Sequence, residues 1–230
     1  MQSFFHDVFI DNHTHLRGNI EKCDGILRVF SLDPLDANSI PAIVAAGHHF
    51  TMGLHPQNIH TMDNAEFKEI AHSHENTLLA IGECGLDRFI SIPMEDQKRS
   101  FKQQAFLAEE MQKPLIIHCV RSYDEVIQLH KEIQPKKSWI IHGFNRNEHI
   151  ANSLIEQGIV LSIGKDLLTE HHPLSHVICA CKEIPFLLET DGKDIDIEHI
   201  YQRCALLLNM DILELKNLIE THFKQIYGTN

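Results

Sequence analysis

The chain has 230 residues, of which 43% are hydrophobic and 23% are charged, and its formal net charge is −12. This composition is typical of a soluble globular protein and excludes a disordered or fibrous chain. The negative charge argues against a nonspecific duplex binder with a broad basic surface, although bound metal ions can supply positive charge locally. Because the length suits one substantial core and no change of composition divides the chain, residues 1–230 are expected to form a single domain.

The six cysteines show neither paired CxxC spacing nor the density of a small secreted scaffold, which favours a reduced, cytoplasmic location. The first residues lack a basic segment followed by a long apolar one, and no apolar run approaches the length of a membrane span. We therefore expect no membrane association. Nothing in the sequence indicates an obligate protein partner.

Short apolar runs rich in β-branched residues recur along the chain, with helix-like stretches between them. Near-continuous apolar strands separated by amphipathic helices are typical of a parallel sheet covered by helices. The predicted strands are residues 8–11, 26–32, 50–54, 78–83, 115–119, 139–143, 159–164 and 186–190.

The intervening helices are indicated by their apolar spacing. Residues 95–112 and 122–133 are predicted helices, the second with Ser122 as its N-cap and Glu125 as the capping-box partner. Residues 194–226 predict two further helices. Eight strand–helix units in an undivided chain indicate an α/β fold, a (β/α)8 barrel of the TIM type with C-terminal helices. A doubly wound open sheet is the structural alternative.

Side chains able to bind metal ions stand at or just after the ends of most predicted strands. In a barrel, the carboxyl ends of all strands meet on one face, so these residues would share one pocket. Burying so many ionisable groups without a metal ion or mutual pairing would be costly. The set comprises His13, His15, His55, Glu83, His118, His142 and Asp191.

The segment FIDNHTHL, residues 9–16, places three polar side chains at alternate positions in an apolar run. Because strand side chains alternate, His13 and His15 are expected to point the same way and to bind one ion through imidazole nitrogens. Asp11 is expected to orient a ligating histidine or to contact the metal weakly. An HxH pair alone is weak evidence, and the seven positions together carry the prediction.

This ligand set is larger than a closed structural zinc site needs, and it suits two ions that share a bridging carboxylate. Two adjacent divalent ions are suited to phosphate ester hydrolysis, since one can activate water while both stabilise the attacking and leaving oxygens. Mixed nitrogen and oxygen ligands are compatible with Zn, Mn, Fe or Co and are less characteristic of Mg. The identity of the metal, Mg included, stays open.

Seven short motifs follow one another in the sequence: HxH at 13–15, GLHP at 53–56, GECGLD at 82–87, Q-x3-F-x2-Q at 97–104, KPLIIHCVR at 113–121, IIHGF at 140–144 and ETD at 189–191. In this order and spacing they resemble the motifs of TatD-type metal-dependent deoxyribonucleases, within the amidohydrolase-like barrels. Any one of them would be weak evidence.

The resemblance implies a site for two divalent ions and names its ligands. The first ion would be held by His13, His15 and Asp191, the second by His118 and His142, and Glu83 would bridge them.

The resemblance also implies roles towards the substrate. His55 would face the substrate phosphate, and Arg121 would assist as a cation. Asp191 would also accept a proton from the nucleophilic water, so that Asp191 and Glu83 are the expected catalytic residues. DNA is the expected substrate, cleaved by exonuclease action on a single-stranded or frayed end.

Several loops depart from the family pattern. The segment after Asp191 reads GKDID where the family usually has a small residue, a proline and an aromatic residue, and Arg88-Phe89 stand where an aromatic pair is common. Few aromatic residues near the strand ends are candidates for stacking on bases, Phe89 and Phe144 among them, although a phenylalanine more often packs in the interior.

Two other functions remain open from the sequence. An amidohydrolase-like enzyme with the same metal site would hydrolyse a small amide, lactone or phosphoester, since a fold does not fix a function. The lack of a lysine where Glu83 ends its strand argues against the subtype with a carbamylated lysine. A non-catalytic metal-binding or interaction protein on the same barrel is the third possibility.

Overall fold

A computed structural model describes residues 7–23, 25–181 and 184–229, and the statements below concern these residues. Eight strands form one parallel sheet in which each strand pairs with the next in sequence. They are β1 (Phe9–His15), β2 (Ile26–Leu32), β3 (His49–Met52), β4 (Leu78–Asp87), β5 (Leu115–Val120), β6 (Trp139–Ile141), β7 (Val160–Ile163) and β8 (Phe186–Leu188).

Helices surround the sheet and follow most of the strands. They are α1 (Ile40–Ala45), α2 (Asn64–Ser73), α3 (Met94–Glu110), α4 (Tyr123–Ile133), α5 (Glu148–Ile155), α6 (Leu174–Ala180), α7 (Ile197–Leu208) and α8 (Ile212–Tyr227), with short 3-10 helices at Pro34–Ser39 and Lys165–Leu168. The described residues between β1 and β2 form a loop. Among the described residues, no helix is long and apolar enough to cross a membrane.

The sheet curves until its first and last strands meet. Three residues after the end of β8, the backbone N–H of Asp191 donates to the carbonyl of His13 at 2.9 Å. The (β/α)8 barrel prediction is therefore confirmed, and the strand order excludes a doubly wound sheet, in which the order reverses at a switch point. The buried hydrophobic residues of strands and helices form one cluster.

Two predicted strands are longer than their apolar runs. β1 continues through His15 and β4 continues to Asp87, so His13 and His15 lie within β1 rather than after it, and Glu83, expected at the end of its strand, lies inside β4. The two predicted C-terminal helices are confirmed. The predicted capping box of α4 is wrong, because the Ser122 hydroxyl donates to the Val120 carbonyl instead of accepting from the helix.

Candidate metal centre

Five imidazoles surround the carboxylate of Glu83 at the carboxyl end of the barrel. The carboxylate is almost fully buried, with 5% of the residue exposed. Its Oε2 lies 3.3 Å from Nε2 of His13 and 3.7 Å from Nε2 of His15. Its Oε1 contacts Nδ1 of His118 at 2.8 Å, Nε2 of His142 at 2.7 Å and Nε2 of His55 at 3.5 Å. The structure thus brings together residues from β1, β4, β5 and the loops after β3 and β6.

Glycines allow the strands around Glu83 to approach one another closely. A Cβ atom on Gly82 would lie 2.3 Å from the Ile116 carbonyl, and one on Gly85, where φ is +152°, would lie 1.9 Å from the His118 carbonyl. Both contacts are far shorter than any real Cβ contact, so a side chain at either position would push β4 away from β5. The glycines of the GECGLD motif therefore set the distance between Glu83 and His118.

Two glutamines of α3 fix the loops that follow β3 and β4. Gln104 accepts from the Leu54 N–H at 2.8 Å and donates to the Leu54 carbonyl at 3.0 Å, which holds the residue before His55. Gln97 makes the same pair of bonds with the backbone of Asp87, at 2.7 and 3.0 Å. The seven-residue spacing of the Q-x3-F-x2-Q motif puts both amides on one face of the helix. The motif thus positions the site without entering it.

Two carboxylates contact the outer nitrogens of the central histidines. Asp87 Oδ2 lies 3.3 Å from Nε2 of His118, and Glu189 Oε1 lies 3.3 Å from Nδ1 of His142. Glu189 is fully buried and also accepts from the Gly143 N–H at 2.7 Å and from the Ser162 hydroxyl. A carboxylate behind a ligating imidazole orients the ring and raises its basicity. These roles were not predicted from the sequence, although both residues stand in the motifs GECGLD and ETD.

The buried charges of the cluster are balanced internally. Burial by itself would raise the pKa of the Glu83 carboxyl, but the charge of His142 and the neighbouring imidazoles hold that pKa well below its usual range. Burial lowers the pKa of His13, and it lowers the pKa of His55 to about 4. Burial also opposes the charge on His142, but Glu83 and Glu189 hold its pKa well above the usual value. The cluster therefore stabilises a positive charge beside Glu83.

The donor atoms fit a divalent metal centre. Nε2 of His13 is buried and lies 3.3 Å from Oε2 of Glu83, but its geometry gives no hydrogen bond within the described part of the chain. A buried nitrogen without a partner is costly, and a metal ion is the partner suited to a set of imidazoles and carboxylates. In each of three sets of residues, the potential ligand atoms lie within 4.8 Å of one another. The sets are His13, His15 and Glu83; His55, Glu83 and His118; and His13, His142 and Asp191.

Asp191 lies on the open side of the cluster. Its Oδ1 is 3.4 Å from Nε2 of His15, and its Oδ2 is 3.1 Å from Nζ of Lys193. Burial would raise the pKa of Asp191, but the hydrogen bond to His15 and the nearby positive charges hold it below its usual range. Gly192 has φ +58°, and a Cβ there would lie 2.9 Å from the His15 nitrogen. The loop that begins after Asp191 thus packs directly against His15 of the HxH motif.

A cleft of about 500 Å³ opens above the cluster, and His15, His55, Glu83, His118, His142 and Asp191 line it. His13 lies beneath, with 1% of its surface exposed. Lys193 is the one lysine or arginine among the described residues that line this cleft. Permanent positive charge in the cleft is therefore sparse.

Two expected contacts differ in the structure. The Asp11 carboxylate accepts from the backbone N–H and the hydroxyl of Thr190, at 2.8 and 2.7 Å, and does not orient a histidine. The pairing register of β1 shifts between Asp11 and Thr14, which breaks the alternation assumed from the sequence. Arg121 does not line the cleft, because its guanidinium lies over the ring of Phe89, 4.7 Å from the ring centre.

The chain is similar to known proteins along most of its length. A family model described as "TatD related DNase" matches residues 10–228. The "3'-5' ssDNA/RNA exonuclease TatD" of Pectobacterium carotovorum is 29% identical over 156 residues, which cover 61% of this chain and 59% of that protein. The "Uncharacterized metal-dependent hydrolase YabD" of Bacillus subtilis is 26% identical over 262 residues, covering 97% of this chain and 100% of that protein.

The fold of the chain is also similar to that of a solved structure. The crystal structure of YjjV, a TatD homologue from Escherichia coli, superimposes with a TM-score of 0.80 at 17% sequence identity, covering 96% of this chain and 98% of that one. At this level of identity the likeness concerns the fold alone. It agrees with the barrel described above.

Proposed function

The chain belongs to the TatD-related DNase family, and from this premise we propose that it is a metal-dependent phosphodiesterase acting on single-stranded or frayed DNA. The observation that carries the proposal is the buried Glu83 carboxylate with five imidazoles around it. Two relatives support this proposal, since one is named a ssDNA/RNA exonuclease and the other a metal-dependent hydrolase. Residues 1–230 are proposed to act as one domain, and the cytoplasmic location stays a prediction from cysteine usage.

We assign two divalent ions to the cluster. The residues proposed for the first ion are His13, His15 and Asp191, those for the second are His118 and His142, and Glu83 is shared. For the second ion the support is the close approach of three donor atoms, since His118 Nδ1 and His142 Nε2 lie 3.3 Å apart and each contacts Glu83 Oε1. When bound, such ions supply activation of water and stabilisation of the negative charge that develops on a phosphodiester.

The side chains of this chain perform the other parts of the reaction. Asp191 is ionised at neutral pH because its pKa is held low against the effect of burial, so its carboxylate can accept the proton of the attacking water. His55 lines the cleft in a neutral state and can donate a hydrogen bond to a phosphate oxygen. Asp87 and Glu189 fix the orientations of His118 and His142.

The position of Arg121 does not support a cationic role inside the cleft. Its guanidinium lies over Phe89 outside the cleft lining. Lys193 is the lysine that lines the cleft, next to Asp191. We therefore place Arg121 in substrate binding beyond the scissile phosphate.

The test is hydrolysis of bis-p-nitrophenyl phosphate and single-stranded DNA by metal-free protein, repeated after adding Mn, Zn, Co or Mg separately. We expect added metal to restore cleavage of both substrates. Glu83→Ala should lose this activity, whereas Glu69→Ala, which removes an exposed glutamate of α2, should retain it. Metal uptake without cleavage of either substrate would refute the proposal and would favour amide or lactone hydrolysis.

A further inference from the structure

An exposed phenylalanine lies beside the cleft. Phe89 is 68% exposed, whereas Phe144, the other aromatic residue considered for base stacking, is buried with 1% exposed. Phe89 follows β4 by two residues, and its backbone N–H donates to Asp87 Oδ1 at 2.7 Å. Because Asp87 lines the cleft and contacts His118, this bond places the backbone of Phe89 close to the cleft's edge.

One face of this ring is covered by an arginine from the neighbouring loop. The guanidinium carbon of Arg121 lies 4.7 Å from the centre of the Phe89 ring. Arg121 directly follows β5 and has φ +53°, in the left-handed region that a non-glycine residue seldom adopts. Since the phenylalanine is still 68% exposed, its other face is open to solvent.

The two loops are held together by Arg88. Its Nε donates to the carbonyl of Arg121 at 2.8 Å, its backbone N–H donates to the carbonyl of Val120 at 3.2 Å, and its guanidinium pairs with Glu125. The backbones that carry Phe89 and Arg121 are thus tied to each other before any ligand binds. Binding to such a surface costs little ordering entropy.

We propose that Phe89 and Arg121 form a stacking platform that binds one base of a single-stranded nucleic acid next to the scissile phosphodiester. The inference rests on the proposed function and deepens it, because it locates a base outside the metal cleft. Base–aromatic stacking tolerates every base. An arginine beside the ring adds positive charge, which is sparse in the cleft, because Lys193 is the one lysine or arginine among the described residues that line it. An exposed aromatic ring fixed beside a catalytic cleft is what such binding requires.

The experiment measures binding rather than turnover. A fluorescent phosphorothioate oligothymidylate and an abasic strand of equal length are titrated with the protein as purified, and the ratio of the two dissociation constants is compared between variants. In Phe89→Ala we expect the preference for the base-containing strand to fall by at least about fivefold, the lower end of the effect of removing a stacking aromatic residue. Phe89→Tyr, which keeps an aromatic ring, should restore the preference.

Phe106→Ala is the matched control, since Phe106 is 57% exposed on α3 and contributes nothing to the platform. This variant should keep the wild-type preference. A wild-type protein without any preference, or a Phe89→Ala variant that keeps it, would overturn the inference. A purely structural role of Phe89 would lower the melting temperature without changing the preference. Failure of the proposed function would appear separately, as absence of metal-dependent cleavage of bis-p-nitrophenyl phosphate.

Discussion

Replacing Glu189 by glutamine tests whether the buried carboxylate behind His142 tunes the metal centre. Glu189 is fully buried and has three polar partners, the imidazole of His142, the N–H of Gly143 and the hydroxyl of Ser162. A glutamine has the same shape, and its amide can still accept from Gly143 and bond to Ser162. The substitution therefore acts mainly on Nδ1 of His142, which loses its carboxylate partner.

The expected effect follows from the role of carboxylates behind ligating histidines. Loss of such a partner lowers metal affinity by about 10-fold to 100-fold, which corresponds to about 1.4–2.7 kcal/mol. The affinity is measured by competition with a chromophoric chelator, with Glu156→Gln at an exposed position as the control. A metal affinity of Glu189→Gln within twofold of the wild-type value would show that Glu189 does not act on the metal through His142.

Three further outcomes are expected. Gly85→Ala should lower the free energy of unfolding by about 3 kcal/mol or more in urea, because the new Cβ would meet the His118 carbonyl at 1.9 Å. Gly158→Ala, with φ +78° and no atom within 4 Å, should cost only about 1 kcal/mol, and equal losses would contradict this packing argument. Burial lowers the pKa of His48, so its contribution to stability is present above the unfolded pKa near 6.5 and is lost as the pH falls towards the folded pKa. Stability measured from pH 7.5 down to pH 5.5 should therefore fall less steeply in His48→Gln than in the wild-type protein, and parallel curves would exclude this role. Removing metal with a chelator should lower the free energy of unfolding by about 2.7 kcal/mol if the ion was present at about a hundredfold excess over its dissociation constant, and an unchanged melting curve would argue against an ion bound only to the folded state.

Much of the fold could be predicted from local pattern. Near-continuous apolar strands alternating with amphipathic helices predicted the parallel barrel, because a strand buried on both faces has no polar side. The strand ends were less predictable. The apolar runs that predicted the first and fourth strands end at Asp11 and Glu83, yet backbone pairing with the neighbouring strands extends β1 to His15 and β4 to Asp87.

The candidate ligands could also be found in the sequence, since a barrel sends the carboxyl ends of its strands to one face whatever the loops contain. The distances of these ligands from Glu83 could not be predicted, because they depend on how closely β3, β4 and β5 approach one another. Family resemblance supplied the grouping of residues into two metal sites. In the structure, His55 also lies within metal-binding distance of Glu83 and His118 as a possible ligand, and no spacing in the sequence indicates this group.

The sequence by itself determined the barrel and the identity of the histidines and carboxylates at its carboxyl end, because residue type and strand periodicity are local properties. Only the tertiary structure decided the directions of individual side chains. A register shift in β1 turns Asp11 towards Thr190, and the left-handed backbone at Arg121 accompanies the placement of its guanidinium on Phe89. Glu189, which follows β8, reaches His142, which follows β6. These contacts join residues far apart in the chain, so they depend on backbone geometry that no local pattern encodes.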